Sequence, residues 1–223
     1  GLAWHHLVFP VATRLFAVVD PPPDAPFTTV MSWQAHEPLV YEGRVYGNKD
    51  VEFTKFIDLP RRVSTPMEIA VSGRGLPRAA LDRARWRVRD AHAVTSTFDR
   101  FLGYLQASQG EFSVCKQGFV TTNSGWVGDR AGAYLASGRP VVMQDTGFSR
   151  SLPTGSGLFA VDSLDDAVMA IEAIQSDPSA HRSRARSIAE EYFEATAVLS
   201  RFLSVVGIDA GQHAPSPGRA VRS

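Results

Sequence analysis

The residues of this chain whose types and spacing suit chemistry are those that would hold an anion. Lys49 stands at the start of an apolar-periodic stretch, KDVEFTKFIDL, behind Asn48 as a plausible N-cap. A lysine in a first helical turn opposes the helix dipole by about 0.3 to 1 kcal/mol, a cost that reverses if an anion such as a diphosphate sits between them. Two readings of Lys49 stay open on sequence alone: an anion ligand, or a solvated side chain whose cost is screened. The second group lies in residues 123–148, NSGWVGDRAGAYLASGRPVVMQDTGF, where two polar glycine loops flank a helix and a strand. Ser124, Gly125 and Gly128 are expected to leave backbone N–H groups facing an anion at the positive end of that helix. Asp145, Thr146 and Gly147 follow the strand, at the end where open α/β sheets bind ligands.

The elements that must position these groups follow from periodicity. Residues 128–137 are mostly good helix formers, with Gly138 and Pro140 as stop signals. Val141, Val142 and Met143 form a continuous apolar run, expected of a parallel strand covered on both faces. Gly132 in mid-helix costs roughly 1 kcal/mol relative to alanine, and close packing of helix on sheet is the expected reason. Further strands are expected at residues 27–33, 67–71, 86–88, 111–115 (with Cys115 as a strand residue) and 157–161. Helices are expected at 49–59, at 78–85, after a Ser96 cap through Leu105, after Ser163 through Ile174, from Pro178 through Phe193, and at 197–206. Asp90 and His92 lie at the carboxyl end of the third strand. The alternation specifies an α/β fold, a doubly wound Rossmann-like parallel sheet with helices on both faces. The Gly73-x-Gly75 turn lacks the third glycine of a dinucleotide fingerprint, which argues against a dehydrogenase.

Composition narrows the class. Of 223 residues 44% are hydrophobic, enough for a real core, and 23 basic residues balance 23 acidic ones, so no overall charge draws nucleic acid or an acidic membrane. The single cysteine, Cys115, excludes an internal disulfide and suits a reducing, cytoplasmic setting. No clustered metal ligands, membrane span or secretory leader is visible, and no cofactor is expected. The adjacent His5 and His6 are read as a tag remnant or surface pair. Consecutive prolines at 21–23 mark a boundary. Residues 1–26 are expected to be the remnant of a preceding domain with a linker, 27–206 a ligand-binding domain and 207–223 a flexible tail. The start at Gly1 suggests that part of a longer protein is absent.

Several pieces in order carry a family resemblance: FTTVMSW before KDVEFTKF, SGWVGDRAGAYLASGRPVV, QDTGF, GLFAV before SLDDAVMAIEAI, and DPSAHRSRARSIAEEYF. Over most of residues 27–206 the chain resembles the C-terminal, nucleotide-sugar binding half of GT-B glycosyltransferases of group 1. The resemblance implies a hexosyltransferase-like enzyme with a nucleotide-sugar as donor, incomplete without an N-terminal domain. It implies that Lys49 contacts the donor diphosphate, that the turn from Asp90 through His92 receives the base, that Ser124 and Gly125 lead to the helix facing phosphate and sugar, and that Asp145, Thr146 and Gly147 lie near it. Retaining relatives carry two glutamates at the spacing of Gly125 and Ala133, and neither is acidic here. For Asp129, one turn before Ala133 on the same face and with Arg130 beside it, two readings stay open: a substitute carboxylate for the donor, or an acid that simply favours the positive helix end. A noncatalytic nucleotide-binding or interaction module of the same fold is the alternative.

Overall fold

The computed structural model describes residue 5 and residues 7–208. Its frame alternates strand and helix. In chain order come β1 (Phe27–Ser32), a hairpin of β2 (Leu39–Tyr41) and β3 (Arg44–Tyr46), α1 (Lys49–Phe53), β4 (Met67–Ser72), α2 (Arg78–Arg83), β5 (Arg87–Asp90), α3 (Ala91–Thr95) and α4 (Phe98–Gln106). There follow β6 (Gly110–Ser113), α5 (Gln117–Thr121), α6 (Asp129–Ala136), β7 (Val141–Gln144), β8 (Leu158–Val161), α7 (Leu164–Ser176), α8 (Pro178–Ile188) and α9 (Ala195–Val205). Six strands form one sheet in the order β5-β4-β1-β6-β7-β8, every neighbouring pair parallel. The order runs one way from β1 through β4 to β5 and the other way from β6 to β8. The reversal between β1 and β6 is the switch point, where the connections diverge and leave a crevice at the strands' carboxyl ends.

Strand alternation sends side chains to two cores. Phe27, Met31, Ile69 and Phe112 pack with Phe53, Leu81 and Ile171 from α1, α2 and α7 on one face. Val141, Met143 and Leu158 pack with Leu105, Tyr134 and Ile188 from α4, α6 and α8 on the other. Helices thus cover both faces, as the continuous apolar runs require.

Helix α6 takes its predicted place, with Gly128 and Ser137 as its caps. Gly138 sits at φ 66°, and its amide and that of Arg139 donate to the carbonyls of Leu135 and Tyr134, the Schellman pattern that ends a helix at a glycine. Gly132 is required by packing, though not against the sheet. A Cβ there would lie 2.8 Å from Val11 Cγ2 and 3.2 Å from Phe193 Cδ1. Val11 belongs to the segment before β1, which the Val11 amide fastens to the Phe193 carbonyl at 2.8 Å and the Ala195 amide returns to the Val11 carbonyl at 2.9 Å. Arg186 on α8 adds donations from Nη1 to the carbonyls of Thr13, Phe16 and Ala136.

Several local expectations are corrected. The stretch expected as one helix from Lys49 ends at Phe53 and continues as 3-10 turns, with the Ile57 amide returning to the Thr54 carbonyl and the Thr54 hydroxyl to the carbonyls of Asp50 and Val51. Asn48 occupies the cap position but spends its amide on residues 35 and 36. Thr97, whose backbone is extended, caps α4 in place of Ser96, which is still helical at the end of α3. The third strand lies at 87–90, shifted from the expected 86–88. Cys115 stands beyond β6, because Gln144 Oε1 takes its amide at 3.3 Å in place of a strand ladder. The β2–β3 hairpin occupies a stretch to which the periodicity assigns no strand or helix, and its turn places Glu42 and Gly43 both at positive φ. Helices α3 and α5 are additional short elements. His6 and residues 209–223 lie outside the described residues.

Candidate functional site

Beside the switch point, the start of α1, the loop after β6 and the start of α6 enclose a cleft of about 230 Å³ lined by Lys49, Lys116, Phe119, Trp126, Asp129 and Arg130, among others. The fold delivers Lys49 and Arg130 to one place from residues far apart in the chain. Lys49 is half-buried and has no ion pair or hydrogen bond to its ammonium among the described residues. Burial, then the neighbouring Arg130 charge, lower its pKa to about 8, against an upward push from Glu111 and with a further downward one from Lys116. Burial pushes the Cys115 thiol up to about 11, so it sits in the cleft wall as a neutral group at pH 7.

Arg130 is the fixed cation of the cleft. Its Nε donates to Glu111 Oε1 at 2.6 Å and its Nη2 to Ser113 Oγ at 2.9 Å. Burial works against its charge, but the carboxylate and hydrogen bond of Glu111 outweigh this and hold its pKa above the usual value. Lys116 Nζ lies 3.0 Å from His36 Nε2, which draws it toward the hairpin side. The indole of Trp126 stacks on Phe119, centroids 4.7 Å apart and planes 18° from parallel, while Phe9 meets it edge-on. The cleft therefore combines three cationic side chains, one aromatic pair and the acidic Asp129.

Backbone donors add to this charge, though not all those the sequence suggested. The Ser124 amide donates to the Phe119 carbonyl at 3.2 Å and that of Gly125 to the Thr146 carbonyl at 2.7 Å. Both serve the loop. The amides of Gly128, Asp129 and Arg130 open α6 with no hydrogen bond among the described residues, and all three residues line the cleft. These donors lie at the positive end of an eight-residue helix.

The glycine loop after β7 is a brace. Thr146, fully buried, gives its hydroxyl to the Trp126 carbonyl at 2.7 Å. Asp145 Oδ1 accepts the Gly147 amide at 2.7 Å and Oδ2 the Ser149 hydroxyl at 2.5 Å, a turn that Gly147 completes at φ 92°. The two polar loops thus meet each other, and Asp145 and Ser124 spend their side chains on their own turns.

On the far side of the start of α6 a second pocket of about 420 Å³ opens, lined by Asp129, Arg130, Ala133, Phe16, Val30 and Phe101, among others. Asp129 and Arg130 border both spaces. Ala133 contributes no carboxylate. Asp90 caps α3 by accepting the His92 amide at 3.0 Å. Both residues are exposed at the end of the edge strand β5, outside both pockets. Glu111, Ser113, Lys116, Phe119 and Trp126 were missed by sequence reasoning. A legible signal existed only for Glu111, a charge inside a central strand, which needs a buried partner.

No family model matches the chain and no curated protein matches it. Solved structures do. AviGT4, a glycosyltransferase involved in avilamycin A biosynthesis, aligns with a TM-score of 0.57 at 10% identity over 89% of this chain and 56% of its own. Anabaena HepE in complex with UDP-glucose aligns with a TM-score of 0.57 at 12% identity, over 89% of this chain and 56% of its own. Sucrose-phosphate synthase from Thermosynechococcus elongatus aligns with a TM-score of 0.53 at 16% identity, over 89% and 51%. The chain spans about half the length of these structures. What it shares with them is the Rossmann-like α/β fold.

Proposed function

We propose that this chain is the donor-binding half of a glycosyltransferase, holding the diphosphate of a nucleotide-sugar in the cleft between α1 and α6. The observation that carries the reading is the convergence of Lys49, Arg130 and the three opening amides of α6 on one cleft at the switch point. A diphosphate there would meet the fixed Arg130 charge, the Lys49 ammonium and a helix N-terminus, and its charge would offset the penalties on Lys49. The nucleoside would extend into the larger pocket, where Phe16, Phe101 and Val30 offer apolar walls and Asp129 stands at the shared rim as the carboxylate for ribose hydroxyls. In transfer, these cations and amides would stabilise the charge that develops on the departing nucleoside diphosphate. That the neighbours include glycosyltransferases, one solved with UDP-glucose, supports the class of ligand.

Lys49→Ala tests the reading. A charge-assisted hydrogen bond is worth about 1.5 to 3 kcal/mol, so nucleoside diphosphate affinity should fall roughly 10- to 100-fold while the fold persists. Equal affinity in mutant and wild type would remove Lys49 from the site. A second reading, a noncatalytic nucleotide-binding module, is favoured by Gly125 and Ala133 standing where retaining relatives carry glutamates. The two separate on whether the chain, joined to a second Rossmann-like half, releases nucleoside diphosphate from a nucleotide-sugar.

A further inference from the structure

We propose that Glu111 is a positioning residue of the cleft, a buried carboxylate that holds the Arg130 guanidinium beside Lys49 so that two cations can face one bound diphosphate. The inference rests on the donor reading above and deepens it. Glu111 stands in β6 next to the switch point, where Phe112 and Val114 turn to the α1–α7 core and Glu111 and Ser113 turn to α6. Its side chain is 0% exposed. Fold stability does not explain a charge there. A buried ion pair is on balance no better than apolar side chains of the same volume, and this pair is incompletely satisfied, since Glu111 Oε2 has no hydrogen-bond partner among the described residues.

What Glu111 does provide is control of its partner. One carboxylate oxygen fixes Arg130 Nε and Ser113 fixes Nη2, so the guanidinium plane is set from two sides. No hydrogen bond engages Nη1 among the described residues. The arrangement also answers an electrostatic problem, because Lys49 and Arg130 are like charges lining the same cleft. The groups that bear on Lys49 are Arg130 and Lys116, which disfavour its proton, Glu111, which favours it, and Cys115, whose thiol is neutral where Lys49 titrates. Those that bear on Arg130 are Glu111, Tyr134 and Asp129, all favouring its charge. With the Glu111 charge removed, the repulsion between Arg130 and Lys49 loses the carboxylate that Arg130 is bonded to before any ligand arrives, and Lys49 gives up its proton at lower pH.

The test is the pH dependence of binding of UDP, GDP, ADP or dTDP, whichever the wild-type chain binds best, between pH 7 and pH 8.5. Glu111→Gln keeps the shape and an oxygen for Arg130 Nε but removes the charge. The loss of affinity from pH 7 to pH 8.5 should be larger in Glu111→Gln than in wild type by about twofold or more, the consequence of a lower Lys49 pKa. In Arg130→Gln the same loss should be smaller than in wild type. A purely structural role for Glu111 would lower affinity without moving the pH limb. Ser113→Ala, which removes the second restraint on Arg130 without touching charge, should weaken binding severalfold by the same factor at every pH, and it carries the test if Glu111→Gln does not fold. An unmoved limb in Glu111→Gln, or wild-type affinity in Ser113→Ala, overturns the proposal. A wild-type chain that binds none of the four nucleotides overturns the donor reading itself, and this inference with it; that failure is seen before any variant is made.

Discussion

Lys49 combines three unfavourable circumstances: the first turn of a helix, partial burial, and an arginine as neighbour. All three disfavour its charge, and the negative charge of a bound diphosphate offsets all three. Because the ligand prefers the protonated form, nucleoside diphosphate affinity should be level below about pH 8 and fall as pH rises through that value. Titrations at intervals from pH 7 to pH 9 would show it, and affinity that stays level to pH 9 would contradict a charged Lys49 in the site. This residue was legible in the sequence because a lysine at a helix start breaks a local rule. Arg130 was legible only as a neighbour of Asp129, and its pairing with Glu111 was not legible at all. That pair depends on the register between β6 and the first turn of α6, which no local pattern encodes. Ser124 and Gly125 were legible as a loop before a helix, but which amides the loop would consume depended on Thr146 folding back against it.

At the scale of elements, α6 was readable nearly to the residue. Gly128, Gly138 and Pro140 mark its ends by mechanisms that act within a few residues. The partner that required Gly132 was not readable, because Val11 and Phe193 come from opposite ends of the chain. Gly132→Leu should therefore overpack the contact and destabilise the domain by about 1 to 3 kcal/mol, with the loss read as a lower denaturant midpoint. An unchanged midpoint would mean that the segment around Val11 does not lie on α6 in solution. The elements that escaped the sequence were the short ones, β2, β3, α3 and α5, of three to five residues each. So few residues define no period, and only tertiary contacts stabilise them. The hairpin is the clearest case: Leu39, Val40, Tyr41 and Val45 are all exposed, so no alternation of buried and exposed residues could announce it.

Over the whole molecule, the alternation of strands and helices gave a parallel sheet with helices on both faces, because parallel neighbours need crossovers and crossovers cover faces. Alternation does not give strand order. The placement of β1 beside both β4 and β6 creates the crevice, and it comes from long-range packing of the two cores. The same order explains why Asp90 and His92 stand apart from Lys49: β5 is the edge strand, with β4 and β1 between it and the switch point. Among the described residues no helix is long and apolar enough to cross a membrane. The central claim is that the crevice between α1 and α6 is a nucleoside diphosphate site, and calorimetric titration of this chain with UDP, GDP, ADP and dTDP at pH 7 tests it most directly. Selective, saturable binding of one nucleotide, weakened by Lys49→Ala, is the expected result, whereas no binding of any of the four, or binding indifferent to Lys49, would contradict it.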